Sequence, residues 1–205
     1  DAVTWTQRTS AFGTTLIQGS AWSPSLGLFV IVGDSGTLAT SPDGITWTLR
    51  TSSFGSTNIR AVAWSEDLQL FVAVGGSGKL ATSPDGITWT QRTSNLGGTT
   101  GMGVAWASSI GLFAVVGDFS LGAISSDGIT WTQVTSGPTT GLTGVAWSEE
   151  LGLFAAVGGA GVLRTSSDGT TWTSRTSNVA PTDLYAIAWA TPPSAGGWTI
   201  TGQIL

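Results

Sequence analysis

The sequence predicts an all-β protein, a five-bladed β-propeller with about 42 residues in each four-stranded blade, and three observations carry that prediction. A motif reading Ser-x-Asp-Gly-x-Thr-Trp returns down the chain, and its tryptophans (Trp5, Trp47, Trp89, Trp131, Trp172) are spaced by 42, 42, 42 and 41 residues. A second series, Ala-Trp at Trp22, Trp64, Trp106, Trp147 and Trp189, keeps step at 42, 42, 41 and 42. The apolar residues between them alternate or form short blocks rich in Val and Thr, without the 3.6-residue stripe that a helical repeat needs. Five copies of one unit therefore fill the 205 residues as a single domain.

The elements follow in order within each unit. In the second copy, Asn58 to Trp64 reads as strand a, Leu70 to Val74 as strand b, Lys79 to Thr82 as strand c and Ile87 to Thr93 as strand d. Asp85-Gly86 supplies the c–d hairpin turn, because Gly accepts positive φ and Asp can hydrogen-bond its own backbone. Asp1 to Trp5 aligns with Asp43 to Trp47, so the chain opens on a strand d that has no blade of its own. The last copy runs through strand a (Tyr185 to Trp189), an unusual Ala190 to Gly197 stretch and strand b (Trp198 to Gly202), and Ile204-Leu205 begins a strand c. The N-terminal strand is expected to complete this last blade, close the ring and cover an apolar sheet edge.

Burial magnitudes indicate what holds such a ring together. A tryptophan removes about 150 to 250 Å² from water, about 4 to 6 kcal/mol gross, whereas a turn hydrogen bond nets about 1 kcal/mol. The two Trp series and Phe29, Phe71, Phe113 and Phe154 on strand b are thus the expected packing layers between blades. Close to the axis five strands converge and leave little room. The residue before each strand-a Trp is always Ala, and three before it stands Gly19, Ala61, Gly103, Gly144 or Ala186.

Composition narrows the partners. Only 9% of residues are charged, against about 25% in an ordinary soluble protein. With net charge −5, seven basic residues and no basic run, neither nucleic acid nor an anionic membrane is an expected partner. No apolar run approaches the roughly 20 residues of a membrane-spanning helix, so no membrane insertion is expected. A start at Asp without a signal peptide suggests a processed or trimmed chain, and a surface of Ser, Thr, Gly and Asn suits an extracellular, cell-surface or virion setting.

Ser41-Pro42-Asp43-Gly44-Ile45-Thr46-Trp47, its near copy Ser83 to Trp89, and Ser125 to Trp131 resemble the Asp-box or BNR repeat of sialidase-type propellers, one residue shorter between Asp and Trp than the family pattern. The resemblance implies a propeller with this c–d turn and leaves activity open, since the box is a structural hairpin in that family. Asp43, Asp85, Asp127 and Asp168 are accordingly expected to shape turns. Calcium takes about six to eight oxygens, which one carboxylate per separate turn cannot supply, so no metal site and no cofactor is expected.

The inventory argues against catalysis. With no His and no Cys, nucleophile triads built on either residue are impossible and the usual zinc sites are missing. Arg8, Arg50, Arg92 and Arg175 share one place three after the strand-d Trp, on the outer rim. A glycosidase pair would need two carboxylates about 5 to 9.5 Å apart. Glu66-Asp67 and Glu149-Glu150 lie on a–b loops while Asp34 and Asp118 lie on b–c loops, and these loop classes emerge on opposite faces. No catalytic residues are assigned.

Binding is the expected role, and the copies disagree with one another most where it would reside. Four residues before each strand-a Trp stand Gln18, Arg60, Met102, Thr143 and Tyr185, between neighbours held to Gly, Ala and Val. The d–a loops also differ, offering Phe12, Phe54, Asn95 and Asn178, and the b–c loops of the same face bring Asp34 and Asp118. Phe12, Phe54 and Tyr185 are the expected stacking platforms. These eleven residues are the candidate ligand site, suited to sugar hydroxyls and C–H faces. The chain is similar to small lectin propellers with one pocket per blade, which implies a non-catalytic glycan-binding or adhesion module with room for multivalent binding. A structural or decoration protein of a virion, fibre or cell surface is the alternative, because phage-encoded chains carry similar SPDGITW-like repeats. Near-identical blocks such as Leu38 to Thr48 and Leu80 to Thr90 also admit a reconstructed or designed repeat protein, and a glycoside hydrolase is the remote case.

Overall fold

The computed structural model describes residues 4, 6–135, 141–179, 181–190 and 197–202. The chain is a β-propeller of antiparallel sheets, each a simple meander from inner to outer strand. The first sheet holds β1 (Ile17–Ser23), β2 (Leu28–Gly33), β3 (Leu38–Ser41) and β4 (Thr48–Arg50). The second holds β5 (Ile59–Ser65), β6 (Leu70–Gly75), β7 (Leu80–Ser83) and β8 (Thr90–Arg92). In the third are β9 (Gly101–Ala107), β10 (Leu112–Gly117), β11 (Leu121–Ser125) and β12 (Thr132–Thr135). The fourth comprises β13 (Leu142–Ser148), β14 (Leu153–Gly158), β15 (Leu163–Ser166) and β16 (Thr173–Arg175), and β17 (Leu184–Ala190) pairs with β18 (Gly197–Gly202).

Among the described residues the count is thus four complete sheets and a fifth of two strands. The predicted closing strand rests on Asp1 to Trp5, and the predicted start of the last strand c on Ile204-Leu205; apart from Thr4, both lie outside the described residues, as do residues 191–196 of the unusual stretch. The inner strands pack in sequence, β1 on β5, β5 on β9, β9 on β13 and β13 on β17. The series does not return: β17 is not packed against β1 in the same way.

The predicted aromatic layers hold. Each strand-a Trp lies over the strand-b Phe of its own sheet, with centroids 4.3 Å apart for Trp22–Phe29 and 4.4 Å for Trp64–Phe71. The strand-d series closes the other side, Phe71–Trp89 at 6.2 Å and Phe113–Trp131 at 6.1 Å. Between the first two sheets, Val30, Val32 and Leu38 meet Phe54, Ile59, Val62 and Phe71 of the next, and equivalent clusters recur down the series.

Strand d is shorter than predicted, starting at Thr90 rather than Ile87. The reason is the turn. Asp85 Oδ1 accepts the amides of Ile87 and Thr88 at 2.8 and 2.7 Å, which draws both residues out of the ladder. Ser83 Oγ donates to the same carboxylate at 2.9 Å, and Trp89 Nε1 donates to the Gly86 carbonyl at 3.0 Å. The turns at Asp43, Asp127 and Asp168 repeat the carboxylate grip. On the rim, Arg50, Arg92 and Arg175 each donate Nε to a threonine of the adjacent strand, at 3.0, 3.0 and 2.8 Å.

Those amides stabilise the ionised turn. The Thr46 and Ile45 amides hold the Asp43 carboxyl at about 2, below the usual 3.8. At Asp85 partial burial opposes ionisation but is outweighed by the Thr88 and Ile87 amides, and Asp127 and Asp168 are lowered chiefly by the Thr130 and Thr171 amides. A folded-state pKa below the unfolded value means stability that is present above the unfolded pKa and is lost as pH falls through the folded one. Urea midpoints are therefore expected to hold steady down to about pH 4 and to fall towards pH 2. A variant with all four turn aspartates changed to Asn should lose most of that dependence, and an unchanged acid profile would contradict the assignment.

Candidate functional site

The five residues that differ most between copies share one backbone device. In the first sheet, Ile17 pairs with Gly33 and Gly19 with Val32, so Gln18 is an unpaired bulge residue. The same shift leaves Arg60, Met102, Thr143 and Tyr185 unpaired in their strands. A bulge inserts one residue into a strand and re-aims its side chain. Here all five line a single cavity of about 680 Å³ at the axis, whose walls are the inner strands β1, β5, β9, β13 and β17.

The small residues beside them bring the walls together. A Cβ added at Gly19 would stand 3.2 Å from the Ala61 Cα, and one at Gly103 would stand 3.2 Å from the Gly144 Cα. Backbone thus meets backbone between neighbouring inner strands, as the predicted steric requirement demands.

The polar groups are unevenly distributed around the cavity. Gln18 Nε2 donates to Asp34 Oδ1 at 3.0 Å, and Arg60 Nη1 stands 3.7 Å from the same oxygen. Arg60 Nε is buried with no acceptor among the described residues. Across the cavity, the Thr143 hydroxyl is engaged with the carbonyls of Leu184 and Val157, and Tyr185 is exposed. Met102 completes the ring as a soft apolar wall. One side therefore offers amide and guanidinium donors with a carboxylate, and the other an aromatic and a thioether.

Other predicted residues are placed differently. Phe12 and Phe54 are buried and cannot serve as stacking platforms. Phe54 sits in the core between the first two sheets, where the d–a loop folds inward to bury an apolar anchor, and Leu96 does the same in the third copy. Asn95 Nδ2 donates to the Trp131 carbonyl at 2.6 Å, tying its loop across the sheet, while Asn178 is exposed. Asp118 takes the place of Asp34 in the third copy, at the head of its own b–c turn near Gly141.

Neither the bulge nor the role of Phe119 is evident from the repeat pattern. This phenylalanine is 74% exposed at φ +54°, where the other copies place Ser35, Ser77 and Ala160. A bulky residue in that region is strained, and such strain concentrates at functional positions. The signal available was the odd aromatic in a turn that is otherwise small. The acidic a–b loops are occupied structurally: Glu66 accepts Trp64 Nε1 at 2.6 Å, Asp67 accepts Trp106 Nε1 at 2.8 Å, and Glu149 accepts the Ser108 amide at 3.0 Å. Burial opposes ionisation of Glu149, yet hydrogen bonds led by the Ser108 hydroxyl hold its carboxyl at about 2.

Solved structures similar to the chain are propeller proteins of low sequence identity. A structure described as YCF48 bound to D1 peptide matches at TM-score 0.62 and 13% identity, over 92% of this chain and 61% of that one. The GH74 enzyme of Niastella koreensis matches at TM-score 0.65 and 23% identity, over 92% of this chain and 28% of that one. YCF48 from Cyanidioschyzon merolae matches at 0.64 and 16%, over 93% and 68%. The chain thus spans under two thirds of the first two in length, and the likeness is one of fold. No curated protein sequence matches at significant similarity. The family model described as the DUF6242 beta propeller domain matches residues 51–192, and the chain belongs to that family.

Proposed function

We propose that the chain is a non-catalytic recognition module that seats one polar ligand, a glycan end, in the axial cavity. The observation that carries this reading is the convergence of five unlike bulge residues on one cavity while the surrounding scaffold repeats. Sugar hydroxyls suit the donors of Gln18 and Arg60, and a pyranose C–H face suits Tyr185 and Met102. The buried, unaccepted Arg60 Nε supports a ligand oxygen on that side. A single asymmetric site fits better than one site per blade, since the loop aromatics of the first two copies are buried. The carboxylate grip of the c–d turns supports the Asp-box reading of the repeat.

The protein-binding alternative has one specific support. A guanidinium with a free Nε also suits a peptide carboxylate, and one similar fold is described as bound to a peptide. A glycan array followed by titration with the best glycan, and in parallel with C-terminal peptides, separates the two. Arg60→Ala and Tyr185→Ala are expected to weaken glycan binding by about tenfold or more, the value of one good contact. Glu150→Gln, on the opposite loops, should leave it unchanged. Binding of peptides alone would shift the ligand class, and binding of either ligand that survives both substitutions would remove the axial cavity as the site.

A further inference from the structure

Among the described residues, one face of the first sheet has no other sheet packed on it. In sheets two to four, one face (the front) packs against the preceding sheet and the other (the back) against the following one. The back of the first sheet, with Ala21, Val30, Val32 and Leu38, meets the second sheet. Its front carries Ile17, Trp22, Phe29 and Trp47. Ile17 is 48% exposed, whereas Ile59 at the same place is 0% and Leu142 and Leu184 are each 1%. Trp22 is exposed and Phe29 half-buried, while Phe71, Phe113 and Phe154 are sealed. Among the described residues, Phe12, Ile31 and Ala39 cluster with Trp47 and with no residue of another sheet.

The surface that should seal this face is specified by its repeats. Each covered front meets an Ala on strand a, two apolar residues on strand b and an apolar residue on strand c of the preceding sheet, as the second sheet meets Ala21, Val30, Val32 and Leu38. Among the described residues of the fifth sheet the sequence at these register positions is different. By register its strand-b positions opposite Ala188 and Ala186 are Thr199 and Thr201, where the first sheet has Val30 and Val32. Its inner strand β17 is also not packed against β1 as the other inner strands pack on their neighbours.

We propose that the front of the first sheet is a docking surface for a further blade of this same repeat type, joined ahead of β1 in the same ring. The inference is independent of what the axial cavity binds. Four existing interfaces in the molecule show the chemistry, and this face continues them.

The chain has no cysteine, so single thiols report exposure cleanly. Ile17→Cys, with Leu16→Cys as a second variant, is labelled in the 205-residue chain and again in a chain carrying a tandem duplication of residues 11–52 after Ser10. Ile59→Cys is the buried reference. Fast labelling at Ile17→Cys in the first chain, slowed about tenfold or more in the downstream copy of the second, is the expected result. Two outcomes overturn the proposal: labelling at Ile17→Cys and Leu16→Cys already as slow as at Ile59→Cys in the undivided original, meaning the ring or a second copy covers the face, or labelling unchanged by the added blade. Axial ligand binding is measured separately on the original chain, so the two readings fail independently.

Discussion

Replacing Phe71 with alanine is expected to lower the free energy of unfolding by about 3–5 kcal/mol, the range for a fully sealed aromatic lost without collapse of its surroundings. Phe71 is completely buried, lies 4.4 Å from Trp64 and 6.2 Å from Trp89, and packs in the core between the first two sheets. Its loss leaves a cavity walled by two rigid indoles and by β-branched residues of the neighbouring sheet, none of which can swing in to fill it. Phe29 occupies the same repeat position and touches Trp22 at 4.3 Å, but water already reaches it. Phe29→Ala should therefore cost clearly less, about half as much, because less area is returned to solvent. Guanidinium denaturation of both variants, compared at equal m-value, checks the pair. Equal losses would mean that the first sheet is as well covered as the second.

Gly75→Ala is the second large effect, and it should damage stability and the cavity together. Gly75 ends strand b opposite the bulge, and a Cβ there would lie 2.2 Å from the Asn58 carbonyl oxygen. That atom is backbone, so relief requires the chain ahead of Arg60 to move. Overpacking of this kind costs about 1–3 kcal/mol, and the bulge that aims Arg60 is what yields. Gly33, Gly117 and Gly158 meet equivalent carbonyls at 2.1, 2.1 and 2.2 Å, so the rule is general to the fold. Gly97→Ala is the matched control. It sits at φ +60° with open space around it, so its penalty is conformational alone, about 1 kcal/mol. The expected outcome is a larger drop in melting temperature for Gly75→Ala than for Gly97→Ala, with ligand affinity reduced only in the former. Similar drops would show that the carbonyl approach can be relaxed without disturbing the bulge.

Much of this was legible in the residues and some of it was not, for physical reasons. Periodic Trp, Phe and Asp-Gly located the sheets because burial and turn geometry act on short windows, and β6 begins at Leu70 as read. The c–d turn was underestimated because its aspartate recruits two further amides, an interaction that strand propensity does not contain. Gln18, Arg60, Met102, Thr143 and Tyr185 were found by their variation, yet their convergence was not. Simple alternation sends them away from the axis, and only the extra unpaired residue returns them. Phe12 and Phe54 were misjudged because an aromatic in a loop looks the same in sequence whether it caps a core or greets a ligand. Ring closure, which the aligned termini suggest, rests on Asp1 to Trp5 and Ile204-Leu205, and apart from Thr4 these lie outside the described residues.

The backbone contacts around the axis carry a consequence for how such a protein can change over time. Gly19 approaches Ala61, and Gly103 approaches Gly144, through main-chain atoms, so the width of the central well is set by the scaffold. The five side chains that reach into that well differ from copy to copy, and among the described residues only Thr143 and Arg60 of the five bond to a neighbouring sheet. Selectivity can then be retuned at five adjustable points while the architecture that presents them stays constant.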